Sequence, residues 1–139
     1  MVDIPRVIAI DFDGTLFSNN WPEIGKPNWW VIDAAKHEQK NGAKLILWTN
    51  RTGPLLQAAI VACENVGLKF DAVNESLPEW VSAFDNDPRK IGATEYWDDK
   101  AVSVSDVVSR EMGRITNQKQ RSLTFFSKKS TTSKVGDEL

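Results

Sequence analysis

The sequence predicts an α/β fold: a doubly wound, open parallel sheet in three layers, with helices on both faces. Three observations carry that expectation. Short apolar runs alternate with longer segments of helical spacing along residues 6–115. The runs are continuously apolar rather than alternating, which suits parallel strands covered on both faces. The three best runs close in polar residues, Asp11/Asp13, Thr49/Asn50 and Asp98/Asp99. In an open parallel sheet these would gather at the carboxyl edge, where ligands bind.

The first strand, residues 6–10, ends in Asp11-Phe12-Asp13-Gly14-Thr15. Residues i and i+2 of a strand share a face, so extension through Asp13 would aim both carboxylates the same way. Two like charges that close need an offset: a divalent cation, a shared proton, or both. Gly14 lets the chain turn away at once. Residues 16–27 mix turn formers with aromatics and read as an irregular loop or small flap. Asn28 is a predicted N-cap for a helix over residues 29–40, stopped by Asn41-Gly42. Trp30, Val31, Ala34, Ala35 and Glu38 follow its spacing, with Trp30 expected in helix–sheet packing.

Residues 44–48 form the second strand, closed by Thr49-Asn50 and followed by Arg51. Gly53-Pro54 opens a second helix, whose inner face is Leu55, Leu56, Ala59, Ile60, Cys63 and Val66. Residues 70–73 read as a short third strand. Residues 74–88 are the least legible stretch, with a short helix expected near 79–83. Residues 93–97 lead as a fourth strand into Asp98-Asp99, and a helix is expected over 104–115 with Val104, Val107, Val108 and Met112 inward. The organisation read from this is a domain over residues 1–115 and a polar, basic tail over 116–139, with one added edge strand at 122–126.

A chain of 139 residues is long enough for one domain with a substantial core. The formal net charge of −2 gives no overall signature of a nucleic-acid binder. The charge is uneven, however: residues 114–139 carry a net +4 and residues 1–113 a net −6. A single cysteine, Cys63, excludes an intrachain disulfide, and a reducing compartment is expected. Met1-Val2-Asp3-Ile4-Pro5 shows no signal-peptide pattern, and no apolar run reaches membrane-spanning length. No membrane partner and a cytoplasmic location are therefore expected.

Taken together, the acidic and polar strand ends resemble a known family. Asp11-Phe12-Asp13-Gly14-Thr15 matches the first motif of the haloacid dehalogenase superfamily of phosphotransferases. The apolar strand ending in Thr49 resembles the second, Lys90 falls where the third motif's lysine lies, and Asp98-Asp99 resembles the acidic fourth. The motifs occur in family order, and Tyr96-Trp97-Asp98-Asp99-Lys100-Ala101 is similar to the form in small capless bacterial or phage phosphatases. The resemblance implies a Rossmann-like sheet. Residues 16–44, and the stretch between Thr49 and Lys90, leave no room for a large cap domain.

The chemistry implied is phosphate-ester hydrolysis. A phosphate ester is anionic and repels an anionic nucleophile, so a carboxylate needs help from positive charge. By resemblance, Asp11 is the nucleophile that forms an aspartyl-phosphate, and Asp13 is the general acid and later base. Mg2+ is held by Asp11, the main-chain carbonyl of Asp13, and Asp98. Thr49 and Lys90 bind phosphoryl oxygens beside Asn50, and Asp99 orients Lys90 or the metal's waters. Arg89 and Lys100 are substitutes for Lys90. Arg51 reads either as a ligand of the phosphate or leaving group, or as a solvated surface residue. Trp21 either packs or lines the mouth of the site, where it would stack on a base or sugar. His37 reads as an exposed helix residue and Cys63 as inert packing.

An open cleft implies, by the same resemblance, a phosphorylated small molecule under a covering homo-oligomer, or a nucleic-acid end, in a bacterium or phage-infected host. Two alternatives accompany the reading. One is a polynucleotide-end phosphatase that uses the basic tail. The other is a non-catalytic phosphate-binding module resembling a response-regulator receiver, although receivers place their acidic residues in a different order.

Overall fold

The computed structural model describes residues 3–131, and its strands build one all-parallel sheet. In chain order the elements are β1 (Val7–Ile10), α1 (Trp29–Lys40), β2 (Lys44–Leu47), α2 (Gly53–Asn65), β3 (Ala72–Val73), α3 (Pro78–Phe84), β4 (Glu95–Trp97) and α4 (Val104–Thr131). The sheet order is β3-β2-β1-β4. The apolar strands are apolar for a physical reason: each of their two faces is covered. Ile8, Ile10, Leu45 and Leu47 pack with Ile32 and Ala35 of α1 and Ala59 and Cys63 of α2. Val7, Ala9 and Ile46 point the other way, onto Leu77, Ile91 and the Trp80 ring of α3. This is the expected doubly wound, three-layer, Rossmann-like α/β fold.

The two described units are residues up to Lys100 and residues from Ala101 onward. The sheet, α1, α2 and α3 lie in the first. Among its described residues no cap domain is inserted, since only a flap and α1 separate β1 from β2.

Several expectations need correction. Trp30 is 90% exposed; the inner face of α1 is Ala35, as expected, together with Ile32. Asn28 is the N-cap of α1, but its side-chain amide donates to the Thr15 carbonyl rather than capping the helix. The third strand pairs over only two residues, at an edge where it has a neighbour on one side alone. The last helix does not stop at residue 115. α4 continues to Thr131, through the stretch read as an irregular tail and the strand expected at 122–126. Residues 114–131 contain neither glycine nor proline, so nothing in that stretch breaks the helix. Ser103 starts it, its hydroxyl accepting from the Asp106 N–H at 3.2 Å. Val104, Val107, Val108 and Met112, expected inward, are exposed. No helix among the described residues is long and apolar enough to cross a membrane.

Candidate functional site

Strand register brings the polar strand ends together. Ile10 pairs with Leu47 on one side and Trp97 on the other, so β2, β1 and β4 finish at one level. The ladder runs one step further: Asp11 N–H donates to the Trp97 carbonyl and Trp48 N–H to the Ile10 carbonyl, both at 2.9 Å. Asp11, Thr49 and Asp98 therefore leave the same edge side by side. They line a cleft of about 260 Å³ with Asp13, Asn19, Trp21, Asn50, Arg51, Asp99 and Lys100. Thr49 is held there by Asn74, a residue at positive φ whose side-chain oxygen accepts from the Thr49 N–H at 2.8 Å. The Thr49 hydroxyl oxygen accepts from the Arg51 N–H at 3.1 Å, which leaves the hydroxyl proton free to donate into the cleft.

Carboxylate oxygens of Asp11, Asp98 and Asp99 lie within 4.8 Å of one another. Burial, and next the nearby charge of Asp98, push the Asp11 carboxyl up to about 7, against a usual value of 3.8. The Thr15 hydroxyl partly offsets this by donating to Asp11 at 3.1 Å, and its oxygen accepts from the Asp99 N–H at 3.0 Å. Gly14 is required at this point. It sits at φ +90°, and a Cβ there would collide with the Asp99 carboxylate. Three hard oxygen donors around one small space suit a hard divalent cation.

Asp13 does not share this cluster. The chain leaves extension at Phe12, whose carbonyl accepts from the N–H groups of Thr15, Leu16 and Phe17. The Asp13 carboxylate turns instead to Arg51, which donates from Nε and Nη2 to its two oxygens, both at 2.8 Å. The expected like-charge pair of Asp11 and Asp13 is thus resolved by divergence, and the repulsion falls between Asp11 and Asp98. Arg51 is fully buried, its guanidinium between the Phe12 ring at 5.0 Å and the Trp21 ring at 5.2 Å. Its remaining N–H groups reach the carbonyls of Pro22 and Leu55 from Nη1 and of Glu23 from Nη2.

No family model matches the chain, and no curated protein matches it. Among solved structures, a conserved protein coded by a locus of Bacteroides thetaiotaomicron is 38% identical. The match covers 69% of this chain and 77% of that one, with a TM-score of 0.61. The chain belongs to that protein's family. In this member of the family, the strand-end residues Asp11, Asp13, Thr49, Asn50, Asp98 and Asp99 line one cleft together with Arg51.

Three placements differ from expectation in this family member. Asp99, expected to orient other groups, contributes a carboxylate to the acidic cluster itself. Arg51 is neither solvated nor free for a phosphate, because every guanidinium N–H already has a protein acceptor. Lys90 is not among the cleft residues; its Nζ lies 5.7 Å from the Tyr96 ring centroid, whereas Lys100 does line the cleft. The residues that sequence reasoning passed over are Asn19, Asn74 and Thr15. Only Thr15 had a usable signal, four positions after Asp11 in the first motif.

Proposed function

We propose that the chain is a magnesium-dependent phosphohydrolase of the haloacid dehalogenase type, acting on phosphomonoesters through an aspartyl-phosphate. One observation carries the reading: Asp11, on the central strand, stands at the sheet's carboxyl edge with Asp98 and Asp99 close enough to share a cation. Asp13 two residues on and the Thr49 hydroxyl beside them support it. Mg2+ bound by Asp11, Asp98 and Asp99, with the Asp13 main-chain carbonyl as a further ligand, would offset the clustered charge and polarise a phosphoryl oxygen.

The residues divide the work as follows. An Asp11 oxygen attacks phosphorus, forming the acyl-phosphate bond as the bond to the leaving oxygen breaks. Asp13, entering the cycle protonated on an oxygen lone pair that Arg51 leaves open, supplies that proton to the leaving oxygen. Water then attacks phosphorus, gives a proton back to Asp13, and releases inorganic phosphate and the Asp11 carboxylate. Thr49 donates to a phosphoryl oxygen, and Lys100 or Lys90 supplies the mobile positive charge. Trp21, 56% exposed at the mouth, offers a stacking surface to the leaving group.

The test is phosphate release from an aryl phosphate and a nucleotide panel, with and without magnesium, on wild type and Asp11→Asn. The substitution should lower turnover by at least roughly 10³-fold, since the covalent route is lost. Survival of activity would remove Asp11 as nucleophile. A long-lived phosphoprotein without turnover would point to a receiver-like module instead.

A further inference from the structure

Arg51 is the largest fully buried side chain in the described structure, and none of its hydrogen bonds goes to the acidic cluster. Its five N–H groups are divided among three segments: the Asp13 carboxylate and the flap carbonyls of Pro22 and Glu23, all distant in sequence, and the Leu55 carbonyl one turn on in α2. Its flat faces lie near Phe12 beside Asp13 and Trp21 on the flap. A planar fork with every donor engaged has little rotational freedom, and the carboxylate it grips in two-point fashion shares that restriction. The flap is closed on itself as well. Ser18 N–H donates to the Lys26 carbonyl and Lys26 N–H to the Ser18 hydroxyl, both at 2.8 Å.

We infer that Arg51 is a positioning residue: it orients the Asp13 carboxylate and ties that orientation to the seating of the flap segment carrying Trp21. The inference rests on the phosphohydrolase reading and deepens it by separating two parts of the site. Attack by Asp11 depends on the acidic cluster and its cation. Protonation of the leaving oxygen depends on Asp13 and hence on Arg51. An ester with a good leaving group needs little protonation, whereas an alkyl ester needs a great deal. Damage to Arg51 should therefore show as a change in leaving-group preference.

The experiment compares kcat/KM for 4-nitrophenyl phosphate and a simple alkyl phosphate, in wild type, Arg51→Lys, Asp13→Asn and the double variant, all as the full chain with magnesium. This constant reports the steps through formation of the aspartyl-phosphate, so the later role of Asp13 as base does not enter. The expected result is that Arg51→Lys lowers the alkyl-to-aryl ratio by roughly 100-fold or more, in the range of lost general-acid catalysis. Asp13→Asn should lower it in the same direction, and the double variant should be no worse than Asp13→Asn alone. Equal losses on both esters, no loss on either, or multiplying effects in the double variant would overturn the inference.

A second measurement does not need activity or a folded Arg51 variant. Amide hydrogen exchange at Ser18 and Lys26 should speed up about tenfold in Asp13→Asn relative to wild type, because Arg51 loses the partner that fixes it against the flap. Asp11→Asn should leave those amides as they are. Unchanged protection in Asp13→Asn would refute the link even if the protein hydrolyses phosphate esters. Failure of wild type to hydrolyse either ester would remove the enzymatic reading while the exchange result still decides the coupling.

Discussion

Asp11 is where the site's electrostatics concentrate. Its carboxyl, raised from 3.8 to about 7 by burial and then by Asp98, binds a proton more tightly folded than unfolded. A group of that sign stabilises the fold fully below its unfolded value, and the contribution is lost as pH rises through the folded one. The metal-free protein should therefore melt progressively lower as pH rises from about 4 to about 7. Under the proposed function a magnesium ion would replace the proton as the offset to clustered charge, and adding it should raise the melting temperature most at the alkaline end. Melting curves of wild type and Asp11→Asn with and without magnesium check this. Asp11→Asn should flatten the metal-free slope, and a wild-type protein without that slope would contradict the crowding of Asp11 by Asp98. A proton competing for the same oxygens also predicts weaker magnesium binding below pH ~7, measurable by titration calorimetry.

At the level of elements, the flap is a built structure despite its irregular sequence. Gly25 packs so closely on Ser18 that a Cβ would strike the Ser18 carbonyl, a backbone group with little room to yield. Gly25→Ala should therefore reseat the flap, with a loss of roughly ten- to a hundredfold in kcat/KM, as expected for a small misplacement near reacting groups. The cost in stability should be only about 1–2 kcal/mol, because Gly25 itself lies outside the sheet and both cores. Kinetics and denaturant melts on the same variant separate the two effects, and unchanged kinetics would mean that the flap does not shape the site. The same contrast explains what the sequence disclosed. β1, β2, α1 and α2 were legible because apolar runs and turn residues mark them. The residues at the ends of β1, β2 and β4 were legible because parallel register alone aligns them. α3 was faint, since its seven residues bury no side chain completely and leave no period to read. Arg51 was misread for a deeper reason. Its burial depends on acceptors from positions 13, 22, 23 and 55, and no local pattern announces such a set.

For the whole molecule, both apolar cores and every residue lining the cleft fall at or before Lys100. α4 is a separate helix with its own Ser103 start and exposed apolar and basic side chains. A chain ending at residue 103 should then fold, bind magnesium and hydrolyse a small aryl phosphate with kcat/KM within about threefold of the full chain, since additivity holds for sites that share no partners. Circular dichroism and steady-state kinetics would show it; loss of the fold would mean that the first unit requires the second. The same truncation discriminates between partner classes. A small phosphorylated substrate meets only the cleft, so its kinetics should ignore the missing segment. A phosphorylated oligonucleotide engaged by Arg110, Arg114, Lys119 and Arg121 would instead show a higher KM and a shallower dependence on salt. Each lost phosphate contact on a single strand lowers that logarithmic slope by about 0.7. Identical salt slopes for the full and shortened chains would exclude the helix from substrate binding and leave the cleft mouth, with Trp21 and Asn19, as the part of the molecule that selects the ester.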